Sequence, residues 1–232
     1  MHVPDGFFNA GTSVGAGVVS AGTVAVCLKQ ASAELNDRAA PLAGLTAAFI
    51  FALQMLNFPV ASGTSGHLLG GALAAILVGP WAGALCVSIV LLVQGLVFAD
   101  GGLTALGLNV LLIAIIPAFV GYAVFRVARR TLPANSGGVV TSAAIASFVS
   151  VPIAAAVFAV LYGIGGAVDL SFGSVLAAMV GVHLLVGIGE GLITAAVVSA
   201  VVSVRPDLVY GATDLQRPYP DAAPTGPAPA AS

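Results

Sequence analysis

Seven long apolar runs, parted only by short breaks, constrain the fold of this chain more than any motif in it. They fall at roughly residues 8–29, 40–58, 64–79, 81–99, 103–126, 139–163 and 174–204. A helix rises about 1.5 Å per residue, so about 20 continuous apolar residues cross the hydrocarbon core of a bilayer. Barrel strands would instead alternate apolar and polar residues over about 10 positions. Only 7% of the 232 residues are charged and 59% are hydrophobic, far from the roughly 25% charged composition of soluble domains. The expected fold is all-α, a polytopic membrane helix bundle with about seven transmembrane helices. The third run is the exception. It opens Ser62-Gly63-Thr64-Ser65-Gly66-His67, too polar and glycine-rich to face lipid, so part of it is expected as irregular backbone buried within protein.

The few charges carry topology. Lys29 and Arg38 flank the first connection, Arg126, Arg129 and Arg130 the fifth, and Arg205 and Arg217 follow the last run. Asp5, Asp100 and Asp169 occupy connections without Lys or Arg. By the positive-inside rule the amino terminus lies outside, tucked into the bundle, and the carboxyl terminus in the cytoplasm. Residues 1–207 are expected to form one transmembrane domain and the Pro/Ala-rich residues 208–232 a disordered cytoplasmic tail. No P-loop pattern occurs, and a net charge of -2 provides no basic patch for nucleic acid. Cys27 and Cys86 stand singly in apolar runs and read as small core residues.

Chemistry concentrates at the start, Met1-His2-Val3-Pro4-Asp5-Gly6. No basic, apolar leader precedes the motif, and the bulk of His2 should discourage removal of Met1, so the amine is expected to be free. An amine and an imidazole one peptide bond apart can chelate a divalent metal, with the deprotonated amide of His2 as a third donor between them. On the expected topology His67 lies at the same end of the bundle and can supply a fourth nitrogen. Four nitrogens make a strong-field planar set suited to Ni(II), Cu(II) or low-spin Co(II) rather than Zn(II) or Mg(II). The bland alternative leaves His67 bonded to backbone in a polar turn and His2 on the surface.

Other residues are candidates for outer-shell or coupling roles. Ser65 sits in the glycine-rich approach to His67, and Asp100 and Asn109 bracket a loop that either orients the imidazoles or is an ordinary turn. His183 and Glu190 lie on related faces of the last run, about two turns apart and unlikely partners for each other. A carboxylate as deep as Glu190 either clamps helices through hydrogen bonds or serves coupling or a metal path. Gly17, Ala21 and Ala25 form a small-residue stripe suited to close helix contact, within this chain or with a separate subunit.

Four blocks together resemble the CbiM/NikM family, the substrate-specific membrane components of energy-coupling-factor transporters for cobalt and nickel. They are residues 1–6, the run from Ser62 to Gly71 followed by Gly79-Pro80-Trp81, the run from Phe98 to Gly107 with Asn109, and His183 to Gly191 with Arg205-Pro206. The pattern departs from the family between Leu111 and Pro117. The resemblance implies that Co(II) or Ni(II) is the transported substrate, held by Met1, His2 and His67, with no catalytic cofactor. It also implies two cytoplasmic ATPase subunits, a transmembrane coupling subunit and a small accessory membrane subunit as partners. The chain is then a transporter component in a prokaryotic plasma membrane, not an enzyme. Two other classes remain for comparison: a proton-coupled secondary transporter using Glu190 and His183, and an intramembrane hydrolase using Ser62 or Ser65 with a histidine.

Overall fold

The computed structural model describes residues 1–34, 39–56, 58–60 and 64–215. Among the described residues seven helices follow the order of the seven apolar runs: α1 (Ala10–Glu34), α2 (Ala39–Gln54), α3 (Gly71–Val78), α4 (Pro80–Val97), α5 (Leu106–Thr131), α6 (Ser136–Gly165) and α7 (Phe172–Val204). Five of them, α1, α4, α5, α6 and α7, are long and apolar enough to cross a membrane. The bundle is helical as expected, with one small antiparallel hairpin, β1 (Phe58–Val60) and β2 (Thr64–Gly66), joined in the register Pro59 to Ser65.

The third run does not span. Its first residues form β2, residues 67–70 are irregular, and the helix that follows has eight residues, all buried. Eight residues rise about 12 Å, less than half a bilayer. Helix α3 is instead an internal strut between α4 and α5, and glycines on both neighbours make room for it. A Cβ on Gly83 would stand 2.6 Å from the Ala75 nitrogen, and one on Gly121 would stand 2.5 Å from the Ala72 Cβ. Backbones in lipid approach this closely only where a side chain is missing.

Helix boundaries follow local chemistry. Asn135 caps α6 by accepting from the Gly138 N–H at 2.8 Å, and Ser171 caps α7 by accepting from Ser174. Pro80 opens α4, where its missing N–H costs nothing. Pro117 lies inside α5, and the turn before it, Val110–Ile115, widens into a π-helix. A proline removes one i to i−4 bond and crowds the preceding turn, which the wider turn relieves. This bulge starts next to Asn109, so it sets the direction in which that side chain leaves the helix.

Helices α6 and α7 form the most extensive pair. Of the stripe Gly17, Ala21 and Ala25, only Gly17 borders the seam of α1, where a Cβ on Gly107 would stand 2.4 Å from its Cα. That seam is Ala16, Ser20, Cys27 and Ala31, all buried, whereas Ala21 and Ala25 are exposed. Ser20 fixes the rotation by donating to the Gly107 carbonyl at 2.7 Å. Both cysteines are buried, as expected.

Residues 208–215 are not a loose extension: two 3-10 turns, Pro206–Leu208 and Tyr210–Leu215, fold back on the bundle and bury Val209 and Ala212 completely. Apolar side chains at those two positions give the segment a reason to dock. Residues 216–232, which include Arg217, lie outside the described residues, as does Arg38.

Candidate metal centre

The amino-terminal segment is threaded into the bundle and pinned along its length. The Val3 N–H donates to Asn109 Oδ1 at 2.7 Å, and the Val3 carbonyl accepts from the Gly102 N–H at 2.8 Å and from Asn109 Nδ2 at 3.3 Å. Asp5 Oδ1 accepts from the backbone N–H and hydroxyl of Thr104. Further along, the Ala167 N–H donates to Phe7 and the Asn9 N–H to Gly165. Phe7 and Phe8 pack on Phe158 and Tyr162 with ring centroids 5.5–6.3 Å apart. Met1, Val3 and Phe8 are buried in the main core, each worth about 1.5–3 kcal/mol in apolar surface removed from water. The amino terminus is therefore tucked in, as expected.

This threading delivers His2 to His67. The two imidazole centroids are 4.5 Å apart at a tilt of 46°, and both residues are buried. His67 is held from three directions. Its Nδ1 donates to the Leu68 carbonyl at 2.7 Å, which fixes the tautomer and leaves Nε2 as a lone-pair donor. Glu190 accepts the Leu69 N–H at 2.7 Å and the Gly70 N–H at 2.9 Å, one on each carboxylate oxygen. Gln54 Nε2 donates to the Leu69 carbonyl at 2.6 Å. Glu190 is thus a clamp on the His67 segment. Ser65 lies in β2, and its side chain falls outside the described residues.

The Asp100 loop closes over the pair. Asp100 Oδ2 stands 3.9 Å from His2 Nε2, beyond hydrogen-bond reach but close enough to act as a counter-charge. Gly101 takes a left-handed φ of +95°, and a Cβ there would stand 2.9 Å from His2 Nδ1 and 2.9 Å from Asn109 Nδ2. Asn109 and Asp100 are second neighbours of the imidazoles through main chain and charge respectively. His183 completes the surroundings. Its Nδ1 bonds the Met179 carbonyl at 2.7 Å, and its buried Nε2 has no hydrogen-bond partner. It lies within electrostatic range of His67 and of the Met1 amine.

Electrostatics hold the donors neutral. Burial, opposed by Asp100, lowers the pKa of the Met1 amine from 8.0 to about 5. Burial and then the amine's charge lower that of His2 from 6.5 to about 4, again against Asp100. His67 lies well below the ordinary histidine range because of burial, then the amine, His2 and His183. Three neutral nitrogen bases beside one carboxylate suit a cation of the borderline, imidazole-binding kind. Among the described residues no three His, Cys, Asp or Glu side chains converge into a metal-holding group, so a metal held at His2 and His67 has to draw on the main chain or the amine.

Sequence reasoning singled out Met1, His2, Ser65, His67, Asp100, Asn109, His183 and Glu190; Ser65 apart, the structure places them at the His2 and His67 pair or against the backbone that carries it. It missed Gln54, the Asp5 to Thr104 tie and the aromatic latch. Gln54 was legible in principle, as an uncharged polar residue deep in an apolar run. The latch was not, because Phe158 and Tyr162 look like ordinary core residues.

The fold and site define a polytopic helical membrane protein of the metal-transport class, with a buried nitrogen cluster built on its own first residues. The chain belongs to the CbiM family: the family described as the cobalt uptake substrate-specific transmembrane region matches residues 2–208. It is similar to cobalt transport protein CbiM 1 of Pelobacter propionicus, at 36% identity over 208 residues, which is 86% of this chain and 90% of that one. It is also similar to the fused nickel transport protein NikMN of Rhodobacter capsulatus, at 37% identity over 167 residues, 71% of this chain and 47% of that one. A crystal structure of a truncated transition metal transporter superposes with a TM-score of 0.81 at 30% identity, covering 88% of this chain and 99% of that one. The protein is therefore a multi-pass transmembrane component for cobalt or nickel uptake.

Proposed function

We propose that the chain captures Co(II) or Ni(II) through the Met1 amine, the His2 amide and imidazole, and the His67 imidazole. The observation that carries this reading is the 4.5 Å approach of the His2 and His67 rings beside the buried amine. Ring sizes assign the atoms. Amine and amide nitrogens of adjacent residues close a five-membered chelate, and the amide with His2 Nδ1 closes a six-membered one. His2 Nε2 is then left toward Asp100, the outer-shell partner that orients a ligating imidazole. His67 contributes Nε2, since its Nδ1 is engaged by Leu68.

The charge pattern supports capture from outside. Asn109 is near the start of α5 and Arg129 near its end, 20 residues or about 30 Å apart. Lys29 and Arg205 lie at the corresponding ends of α1 and α7. The donors thus sit at the end of the bundle opposite the cations, the external end under the positive-inside rule.

Uptake is then powered by two ATPase subunits through a transmembrane coupling subunit, as energy-coupling-factor transport requires. The exposed Ala21 and Ala25 face of α1 is a natural seat for that subunit. A small accessory membrane subunit is a further partner, a reading supported by the relatives named as fused nickel transport protein NikMN. The proton-relay reading is disfavoured because both Glu190 oxygens are spent on backbone N–H groups. Competitive titration of the purified protein with Co(II) and Ni(II), read by absorption, tests the proposal. Acetylation of the amine or His2→Ala should abolish the planar spectrum; tight binding by either form would sink the chelate.

A further inference from the structure

One buried imidazole nitrogen has no task in the four-nitrogen chelate. His183 is 1% exposed, its Nδ1 is bonded to the Met179 carbonyl at 2.7 Å, and its Nε2 has no hydrogen-bond partner. A carbonyl can only accept, so Nδ1 carries the hydrogen and Nε2 offers a lone pair. Buried acceptors without a donor are costly and rare. The place of this one in the fold indicates which donor it serves.

Helix α7 holds both segments of the metal centre at fixed heights. At its start, the turn from α6 binds the amino-terminal segment, with Gly165 accepting from the Asn9 N–H and the Ala167 N–H donating to Phe7. Glu190, about 27 Å along the helix from Phe172, holds Leu69 and Gly70. His183 lies between these anchors, about 10 Å before Glu190, at the height where the chain runs back from Phe7 to Met1 and His2 meets His67. Met1 is buried in one core cluster with Val175, Met179 and Val186, on the turns of α7 that flank His183. The ring is within electrostatic range of the Met1 amine and of His67.

The other donors of the centre are engaged elsewhere. The Val3 N–H bonds Asn109, the Leu69 and Gly70 N–H groups bond Glu190, and His67 Nδ1 bonds the Leu68 carbonyl. His2 Nε2 faces Asp100. Gln94 has an unpartnered amide, but it stands on α4, whereas α7 packs on α6 and β2. That leaves the Met1 amine. A primary amine bound to a metal keeps two polarised N–H groups, so the nearby Asp100 does not exhaust it.

We propose that His183 is a positioning residue of the metal centre, whose Nε2 accepts an N–H from the metal-bound Met1 amine. This role rests on the amine being a ligand. The amine is the chain end, with no backbone beyond it, so rotation about its bond to Cα is limited by what its hydrogens bond. An acceptor behind a ligating N–H also strengthens that ligand. Glu190 secures the His67 segment from the same helix, so α7 positions both ends of the donor set.

Titration of the full chain with Ni(II), read by absorption and by nitrogen NMR of protein carrying labelled histidine, tests this. Planar Ni(II) is diamagnetic, so the three imidazoles stay visible, and the His183 signals are those missing from His183→Gln. On nickel binding the His183 Nε2 resonance should move upfield, as for an acceptor taking a hydrogen bond, with Nδ1 still protonated. His183→Phe keeps a ring without an acceptor and should lose about 10–100-fold in Ni(II) affinity. His183→Gln returns an acceptor near the Nε2 position and should bind closer to the parent than to the Phe variant. Thermal unfolding of the metal-free variants reports that they are folded; where His183→Phe is not, the nitrogen spectrum of the parent decides. An Nε2 resonance unmoved by nickel, or a folded Phe variant that binds as tightly as the parent, overturns the role of His183. So does a paramagnetic parent complex that turns planar in the Phe variant, since the ring would then be a ligand itself. A parent without a planar band overturns the chelate and this role together.

Discussion

Replacing Glu190 should loosen the His67 segment by an amount that follows from its two hydrogen bonds. The Leu69 N–H reaches Oε2 at 2.7 Å and the Gly70 N–H reaches Oε1 at 2.9 Å, both buried. Glu190→Gln keeps one acceptor and turns an NH₂ toward the other N–H, a loss of about 2 kcal/mol for one such bond. Glu190→Ala orphans both donors, at about 1–3 kcal/mol each, or about 4 kcal/mol together. For a chain of this length 1 kcal/mol moves Tm by about 2–4 °C, so the two variants should unfold about 4–8 °C and about 8–16 °C below the parent. Because the same two residues follow His67 directly, cobalt affinity should fall about 10–100-fold, as on loss of an outer-shell anchor. Thermal unfolding of the metal-free protein in detergent and calorimetric titration with Co(II) measure the two effects. Ser203→Ala, on the exposed face of the last helical turn of α7, provides the neutral comparison. If Glu190→Ala unfolds within about 2 °C of the parent and binds cobalt equally well, the clamp is not what holds His67.

Gly101→Ala places a methyl 2.9 Å from His2 Nδ1 on a residue already at φ +95°; left-handed strain and crowding together should cost about 2–4 kcal/mol and at least tenfold in cobalt affinity, read by the same titration. Lowering the pH should destabilise the metal-free protein. The amine goes from 8.0 unfolded to about 5 folded and His2 from 6.5 to about 4, so between those values only the unfolded chain takes up protons, and the folded state loses ground as pH falls from 8 toward 4. A Tm profile flat across that window would contradict the burial of the amine. Phe158→Ala removes the ring against which Phe7 and Phe8 pack, at about 3–5 kcal/mol; hydrogen exchange at Val3 and Asn9 should quicken, and protection unchanged from the parent would show that the latch is not needed.

How much of this was written in the chain depends on distance along it. Run length and the scarcity of charge fixed the helical bundle, because hydrocarbon tolerates no unpaired backbone. His2 with His67 was legible because an amine, an amide and an imidazole in sequence already form most of a donor set. The failure at α3 has the same root as that success. Residues 71–78 are as apolar as a span, and apolarity cannot separate a helix buried in protein from one buried in lipid. The Ala21 and Ala25 stripe left its partner open for a related reason, since small residues mark a close approach without saying from which side. The docking of residues 208–215 depended on Val209 and Ala212, two apolar positions in a stretch whose composition otherwise read as loose tail.

The ties of the first nine residues also set an order of assembly. Val3 bonds a residue 106 positions away, Asn9 reaches Gly165, and the clamp on Leu69 spans 121 positions. Contacts of such long separation form late. Residues 1–9 and His67 are made before their partners, and nothing can seat them until α5, the α6–α7 turn and Glu190 have been made. The segment that carries His2 is therefore drawn into the bundle only once the last helix is in place.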